Sequence, residues 1–329
     1  MEFGLSEEQA ELASTVRALL AKRADPRAVR AAVTSPAGYD EDLWQMLVDQ
    51  IGAAALAIPE EVGGAGFSLF ETAVVLEELG RSLAPSPLLA SLVTAEALLA
   101  GADGDAQARL LPRIAAGEVA AFAAGDQPAL DAAAATVLVG VVGDDLVEVD
   151  PTSAATTPVG TMDQTLRLAR VDLTGAATTV IGRAVPAAER ALLVGTVAAT
   201  ALQTGLAARA LEMTVAYSKQ RVQFGRPIGS FQALKHRMAD MLVLVEMSRS
   251  ASWAASYAVS VGAPDAWRQV HVAKSYCSDA LDHVAGETVQ LHGGIAITWE
   301  HDAHLVLKRA HALGRLYGQA HEHRAQIEL

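Results

Sequence analysis

A chain of 329 residues, 51% of them apolar, can bury one large core or build two to three modest domains. Alanine is abundant and aromatics are 5%, so a mostly helical protein is expected. The net charge of -13 speaks against sequence-independent nucleic-acid binding and against docking on an anionic membrane.

Cys277 is the single cysteine, which removes any disulfide framework and suits a reducing compartment. Its place between Ala273 and Ala280 reads as a buried structural thiol. No apolar run reads as long enough to span a bilayer. The start, Met1 to Glu8, lacks the basic and apolar regions of a signal peptide, so a cytoplasmic location is expected.

Ser6 and Gln9 have capping-box spacing, and Leu5, Leu12, Val16 and Leu19 follow at helical intervals. Asp25-Pro26 ends that helix or opens another. Short helices follow over 42–50 and 70–80, the second stopped by Gly80. Pro85 and Pro87 precede a helix over 88–100, and a last one over 106–116 stops at Gly117. An all-helical domain therefore covers 1–118. Gly63, Gly64 and Gly66 could cradle a phosphate, but no strand precedes them and a plain loop is expected.

From residue 119 the period changes. Stretches 137–142, 146–149 and 166–171 read as short strands, with a hairpin turn at Gly143-Asp144-Asp145. From 181 to 329 four long helices are expected, over 186–219, 231–261, 264–291 and 300–325, forming an antiparallel bundle. All nine histidines fall here. Glu300, His301 and His304 stand close enough to ligate a metal, but no helical three-ligand pattern exists. No metal site is expected, and the histidines read as a solvated or interface face.

One stretch organises the rest. Leu202, Leu206, Ala210, Met213 and Tyr217 recur at helical spacing before Arg221, and Met238, Leu242, Val245, Arg249 and Trp253 recur after Gln232. Gly225, Pro227 and Gly229 force a turn between them, so Arg221 and Gln232 flank one corner. An Arg offers a planar fork to phosphate and an amide can bond a ribose or ring. Taken alone, such a turn reads equally as a polar hairpin capping its own backbone. Gln290-Leu291-His292-Gly293-Gly294 closes a further helix with a glycine pair.

With these residues in view, the sequence resembles the acyl-CoA dehydrogenase family. The match rests on Arg221-x-x-Phe224-Gly225-x-Pro227-Ile228-x-x-x-Gln232, on Gln290-x-x-Gly293-Gly294, and on Pro59 to Gly66, in the family's order. Thr298 to His304 looks most like the actinobacterial branch that degrades steroid side chains. The resemblance implies a mainly α fold with a small β-domain: an N-terminal helical domain (1–118), a short β-barrel-like middle (119–180) and a C-terminal four-helix bundle (181–329). It implies FAD as cofactor. Arg221 would meet the pyrophosphate. Gln223 and Phe224 would lie against the cofactor, Gln232 and Gln290 would bond its adenosine end, and Gly293 and Gly294 would let the backbone come close.

The sequence departs from the family in four places. The family's middle domain is about twice as long, and its flavin- and thioester-holding loops have no counterpart near Ala123 to Gln127. Its base is a Glu at one of two positions, which here are Gly195 and Tyr317. Gly has no side chain, and a Tyr of pKa about 10 is protonated at neutral pH. Ala296 replaces the last glycine of Gly-Gly-x-Gly, and its methyl questions a close backbone approach there. No catalytic residue is therefore assigned. The resemblance then implies a subunit of a hetero-oligomer, α2β2 in form. A larger catalytic acyl-CoA dehydrogenase chain would hold the acyl-CoA and supply the base. The alternatives are a homo-oligomeric flavin dehydrogenase with a relocated base, Glu189 or Glu246, and a cofactor-free assembly or regulatory protein.

Overall fold

Local signals set the first helices in the structure, a computed structural model that describes residues 4–327. Met1 to Phe3, part of the start read above as leaderless, lie outside the described residues. α1 (Glu7–Arg23) opens on the expected capping box: the Gln9 N–H donates to the Ser6 hydroxyl, and the Ser6 N–H to the Gln9 amide oxygen. Asp25 caps α2 (Pro26–Thr34), with Pro26 in its first turn, so that pair opens a helix. α3 (Glu41–Ile51) buries Leu43, Trp44 and Leu47 and ends on left-handed Gly52.

The Gly63 to Gly66 loop is closed on itself. The N–H groups of Gly64 and Gly66 donate to Pro59 O and Ile58 O. A Cβ on Gly64 would lie 1.9 Å from the Ile58 oxygen. Donors used this way offer no nest for a phosphate.

α4 (Leu69–Ser82) does not stop at Gly80; it runs on until Leu83, which takes φ 60°. α5 (Leu88–Gly101) is buried on every side from Leu88 to Leu98. α6 (Gly104–Ala115) is capped by Asp103, and Gly117 turns away with φ 95°.

Seven strands follow: β1 (Ala120–Ala123), β2 (Ala129–Leu130), β3 (Val137–Val142), β4 (Asp145–Val149), β5 (Ala155–Val159), β6 (Leu168–Asp172) and β7 (Thr178–Arg183). They form two sheets, ordered β1-β3-β4-β7 and β2-β6-β5. β3 and β4 make the expected hairpin, with Val142 opposite Asp145. Both sheets contribute to one small core around Leu138, Val147, Val149 and Ala169.

The rest is helical. α7 (Ala184–Gln220) runs for 37 residues. A two-residue pair of strands, β8 (Val222–Gln223) and β9 (Arg226–Pro227), leads to α8 (Gln232–Ser260) and then α9 (Ala266–His292). The expected fourth helix is broken in two, α10 (Ala303–Arg315) and α11 (Ala320–Ala325). Tyr317 at φ 59° and Gly318 at φ 102° cannot continue a right-handed helix.

The chain divides into two compact units. One is Leu5–Val75 with Ala84–Gly195; within it a Cβ on Gly182 would lie 1.9 Å from Gly101 O, so β7 passes close against the end of α5. The other joins Leu76–Leu83 to Thr196–Leu329, and its glycines have a shared purpose. A Cβ on Gly80 would lie 2.3 Å from Leu202 O, and one on Gly205 1.8 Å from Glu77 O. Gly80 is thus a crossing contact, not a stop signal, and α4 and α7 meet backbone to backbone.

α7 corrects the reading that no apolar run is long enough for a bilayer. By length and composition it is, with a window of mean hydropathy 1.6, and 89% of that window is buried inside the protein. Its hydroxyls suit burial: Thr204 and Thr214 donate to Thr200 O and Ala210 O four residues back. On α8 and its C-cap, by contrast, Val243, Met247, Tyr257 and Val261 stand 53–62% exposed at helical spacing along one side.

The α4–α7 crossing gives a first test. Gly205→Ala should cost about 3 kcal/mol by overpacking, read as a lower urea midpoint at unchanged slope. A midpoint equal to that of the native chain would mean that the helices separate freely.

Candidate functional site

The expected corner forms. α7 ends one residue before Arg221, whose N–H still donates to Tyr217 O at 2.9 Å. The Arg221 carbonyl accepts from Ile228 N–H at 2.8 Å, which ties the base of the turn. Between them Val222 pairs with Pro227 and Gln223 with Arg226. Phe224 (φ 52°) and Gly225 (φ 75°) make the tight tip. Two positive φ values in a row are what a two-residue hairpin of this twist needs. A left-handed phenylalanine is strained, and this one is 92% exposed. Its ring meets Phe231 edge-on at 6.2 Å, and the Arg226 guanidinium lies 4.0 Å over Phe231.

Gln232 is the first residue of α8, as expected, with its amide 3.1 Å from His236 Nε2. Gln223 turns its amide back to Val222 O at 2.9 Å. Arg221, Gln223 and Gln232 are exposed. The Arg221 guanidinium has no partner among the described residues.

The second half of the site is the end of α9. Gly293 takes φ 66° and closes the helix, with its N–H directed back to Gln290 O and Val289 O. Gln290, Gly293 and Gly294 are exposed, and a Cβ on either glycine would meet nothing within 4 Å. Ala296 is fully buried, so its methyl points into the core and leaves the glycine pair uncovered.

The ends of α7 and α9 adjoin. Thr214 Oγ1 lies 3.1 Å from Thr288 Oγ1, and a turn further on the Tyr217 ring stacks on His292 at 4.5 Å and 28°. Thr214, Tyr217 and Arg221 follow at i, i+3, i+7, one side of a helix. The structure therefore brings the two sequence motifs to one end of the bundle.

Of the histidines, expected from sequence as a solvated or interface face, His236, His283 and His321 are exposed, but His292, His304 and His323 are buried. They sit in ring contacts: His292 with His301 at 4.4 Å, His304 with Trp299 at 4.6 Å, His323 with His271 at 5.1 Å. Ring contacts of this kind bury the apolar faces of the imidazoles, and sequence spacing does not reveal the pairing. Among the described residues no group of three or more His, Cys, Asp or Glu is placed to hold a metal. Cys277 is buried with its thiol pushed up to about 12, the inert state expected of it.

At the family's base positions, Gly195 is buried inside α7 and Tyr317 is half-buried in the left-handed turn after α10. That turn is held by residues the sequence reading did not single out. The fully buried Lys274 donates through Nζ to Leu313 O at 2.8 Å and Ser278 Oγ at 3.0 Å, a cation at the negative end of α10. Burial lowers its ammonium to about 8. His323 Nε2 lies 2.9 Å from Tyr317 O and donates to it. Glu212 is paired with Arg81 and Glu246 with Arg249, while Glu189 is exposed on α7. Glu96 is another carboxylate that sequence alone did not flag. Burial raises its pKa, and Arg190 Nε holds it at 2.6 Å.

A helical N-terminal domain, a small β-domain and a helical C-terminal domain with this corner define a class. The pattern of the acyl-CoA dehydrogenase N-terminal domain matches residues 6–118, and that of the C-terminal domain residues 182–328. The chain belongs to the acyl-CoA dehydrogenase family, oxidoreductases that depend on FAD. It is 45% identical over 323 residues to acyl-CoA dehydrogenase IpdE2 of Mycobacterium tuberculosis, covering 98% of this chain and 96% of that one. Among solved structures it is similar to the Tcur3481-Tcur3483 steroid ACAD, with TM-score 0.86 and 29% identity over 98% of this chain and 96% of that one. It is also similar to the ChsE4-ChsE5 complex of Mycobacterium tuberculosis, with TM-score 0.88 and 25% identity over 99% and 98% of the two chains.

The corner fits the nucleotide end of FAD on its own chemistry. A free guanidinium fork, three exposed amides and two glycines with open space beside them are donors and room for a diphosphate-linked adenosine.

Lys274 generates a test by linkage. Its folded pKa of about 8 lies below the ordinary 10.5, so the unfolded chain binds the extra proton between those values. Between about pH 8 and 9, below the range in which the raised Cys277 thiol acts in the opposite sense, stability should rise with pH, by about 1 kcal/mol. Urea midpoints should show the rise, and Lys274→Met should flatten it.

Proposed function

We propose that this chain is the non-base subunit of a heteromeric, FAD-dependent acyl-CoA dehydrogenase. One contrast carries the reading. The residues that the family resemblance assigns to the cofactor's nucleotide end are all present, while neither family position for the base holds a carboxylate. Bound FAD supplies the hydride acceptor for α,β-dehydrogenation of an acyl-CoA thioester.

In this reading Arg221 meets the diphosphate with its fork, and Phe224 lies flat against the cofactor. Gln223, Gln232 and Gln290 bond the adenosine end, and Gly293 and Gly294 admit it to the backbone. A larger partner chain holds the acyl-CoA and brings the base that removes the α-proton, in an α2β2 assembly. The likeness to a solved steroid ACAD and to the ChsE4-ChsE5 complex supports a steroid side-chain thioester and a two-chain assembly. The apolar ridge of α8 supports burial against another chain. The lone, buried cysteine supports a cytoplasmic setting.

A relocated base on this chain is the competing view. Glu246 and Glu212 are each committed to an arginine, and Glu96 is locked to Arg190. Glu189→Gln and Glu96→Gln should therefore leave turnover of the assembled enzyme largely intact. A drop of several orders of magnitude with assembly and flavin content preserved would sink the partner-base reading.

The cofactor corner is tested on the complex purified with its partner chain. A charge-assisted Arg–phosphate pair contributes about 1.5–3 kcal/mol. Arg221→Ala should thus weaken FAD retention roughly ten- to a hundredfold. Arg221→Lys keeps the charge but loses the fork, so it should weaken retention less. Added FAD should restore occupancy and assembly by mass action. Full occupancy in Arg221→Ala would make this corner a structural hairpin.

A further inference from the structure

The seam between α7 and α9 ends in a buried ring with one nitrogen left over. His292 is 4% exposed. Its Nδ1 lies 2.7 Å from Thr288 O, a carbonyl that can only accept, so Nδ1 carries the proton. In the neutral ring Nε2 is then a bare lone pair, and it is buried without a hydrogen-bond partner among the described residues.

The ionisable groups that face the ring are Tyr217 from α7 and His301 from the loop before α10. His301 accepts from Ala303 N–H through Nδ1 at 3.2 Å, so its own proton sits on Nε2. Neither neighbour is a carboxylate that would hold an imidazolium. Protonating His292 would bury a charged N–H with no acceptor, against a second imidazole. Burial and His301 accordingly lower its pKa from the ordinary 6.5.

The ring also has a mechanical role. Tyr217 lies one turn before Arg221 on the same side of α7, and His292 directly precedes Gly293. The stack therefore ties the two halves of the corner together beside Arg221 and Gly293.

We propose that His292 is a positioning residue for that corner: in its neutral form it clamps the end of α7 to the end of α9, and protonation releases the clamp. This inference rests on the reading of the corner as a nucleotide site. Because the folded state disfavours the proton, the clamp is whole above the ordinary value and is lost as the pH falls below 6.5. An acidified enzyme should lose its grip on the nucleotide end of the cofactor before it unfolds.

The experiment uses the complex with its partner chain and reads two quantities at about pH 7.5 and about pH 5.5, on either side of the imidazole range. One is amide hydrogen exchange across residues 217–232 and 290–297, corrected for intrinsic rate. The other is FAD retention. In the native complex the exchange should quicken in acid, by at most about tenfold for a released ring of ordinary pKa, and retention should fall with it. In His292→Phe and His292→Met, two apolar replacements of which either suffices, the ratio between the two pH values should be close to one for both readouts. The native ratio in either folded variant, or no acid response in the native complex, overturns the proposal. Arg221→Ala, run alongside, separates the two readings. It should lower retention at both pH values and keep the native exchange ratio. Unchanged retention there refutes the nucleotide site, while the exchange ratio still decides the clamp.

Discussion

A single unbroken helix sets what the C-terminal half can do. α7 carries Gly195, a family base position, in its first half and hands over to Arg221 at its end. At the rise of an α-helix those points lie about 38 Å apart. The family's base position and the Arg221 corner thus stand about seven turns apart along one helix. A chain can lose the first without disturbing the second. Glycines let α4 lie directly on the backbone of α7's second half.

The far end of that helix is where sequence and packing converge. The turn after α7 is fixed by backbone bonds between Arg221 and Ile228 and by two left-handed residues. The turn after α9 is fixed by Gly293. Neither turn knows about the other until Thr214 meets Thr288 and Tyr217 meets His292. Those contacts bring together two motifs that lie some seventy residues apart in the chain.

Much of this was legible in the sequence because local chemistry decides it. The capping box at Ser6, the proline-opened α2, the α7–α8 corner and the stop at Gly293 each depend on a few neighbouring residues. What was misread depends on distant ones. Gly80 looks like a helix stop until Leu202 O is found where its side chain would be. β1 and β5, rich in Ala and Thr, lack the alternation that marks a strand and are strands because β3 and β6 pair with them. The last helix reads as continuous because only Gly318 warns of the left-handed turn at Tyr317. The histidines look solvated because no spacing rule says that His292, His304 and His323 will find aromatic or imidazole neighbours. Lys274 is the plainest case, since a lysine at the heart of a bundle is anticipated by no propensity.

The ridge of Val243, Met247, Tyr257 and Val261 on α8 and its C-cap, and the bare Phe224 at the hairpin tip, have a cost outside chemistry. Such surface attracts chaperones, proteases and other copies of the same chain while it stays uncovered. A newly made molecule runs those risks for as long as the ridge stays bare. Selection would act on the timing and dosage of its synthesis as strongly as on any residue of the site.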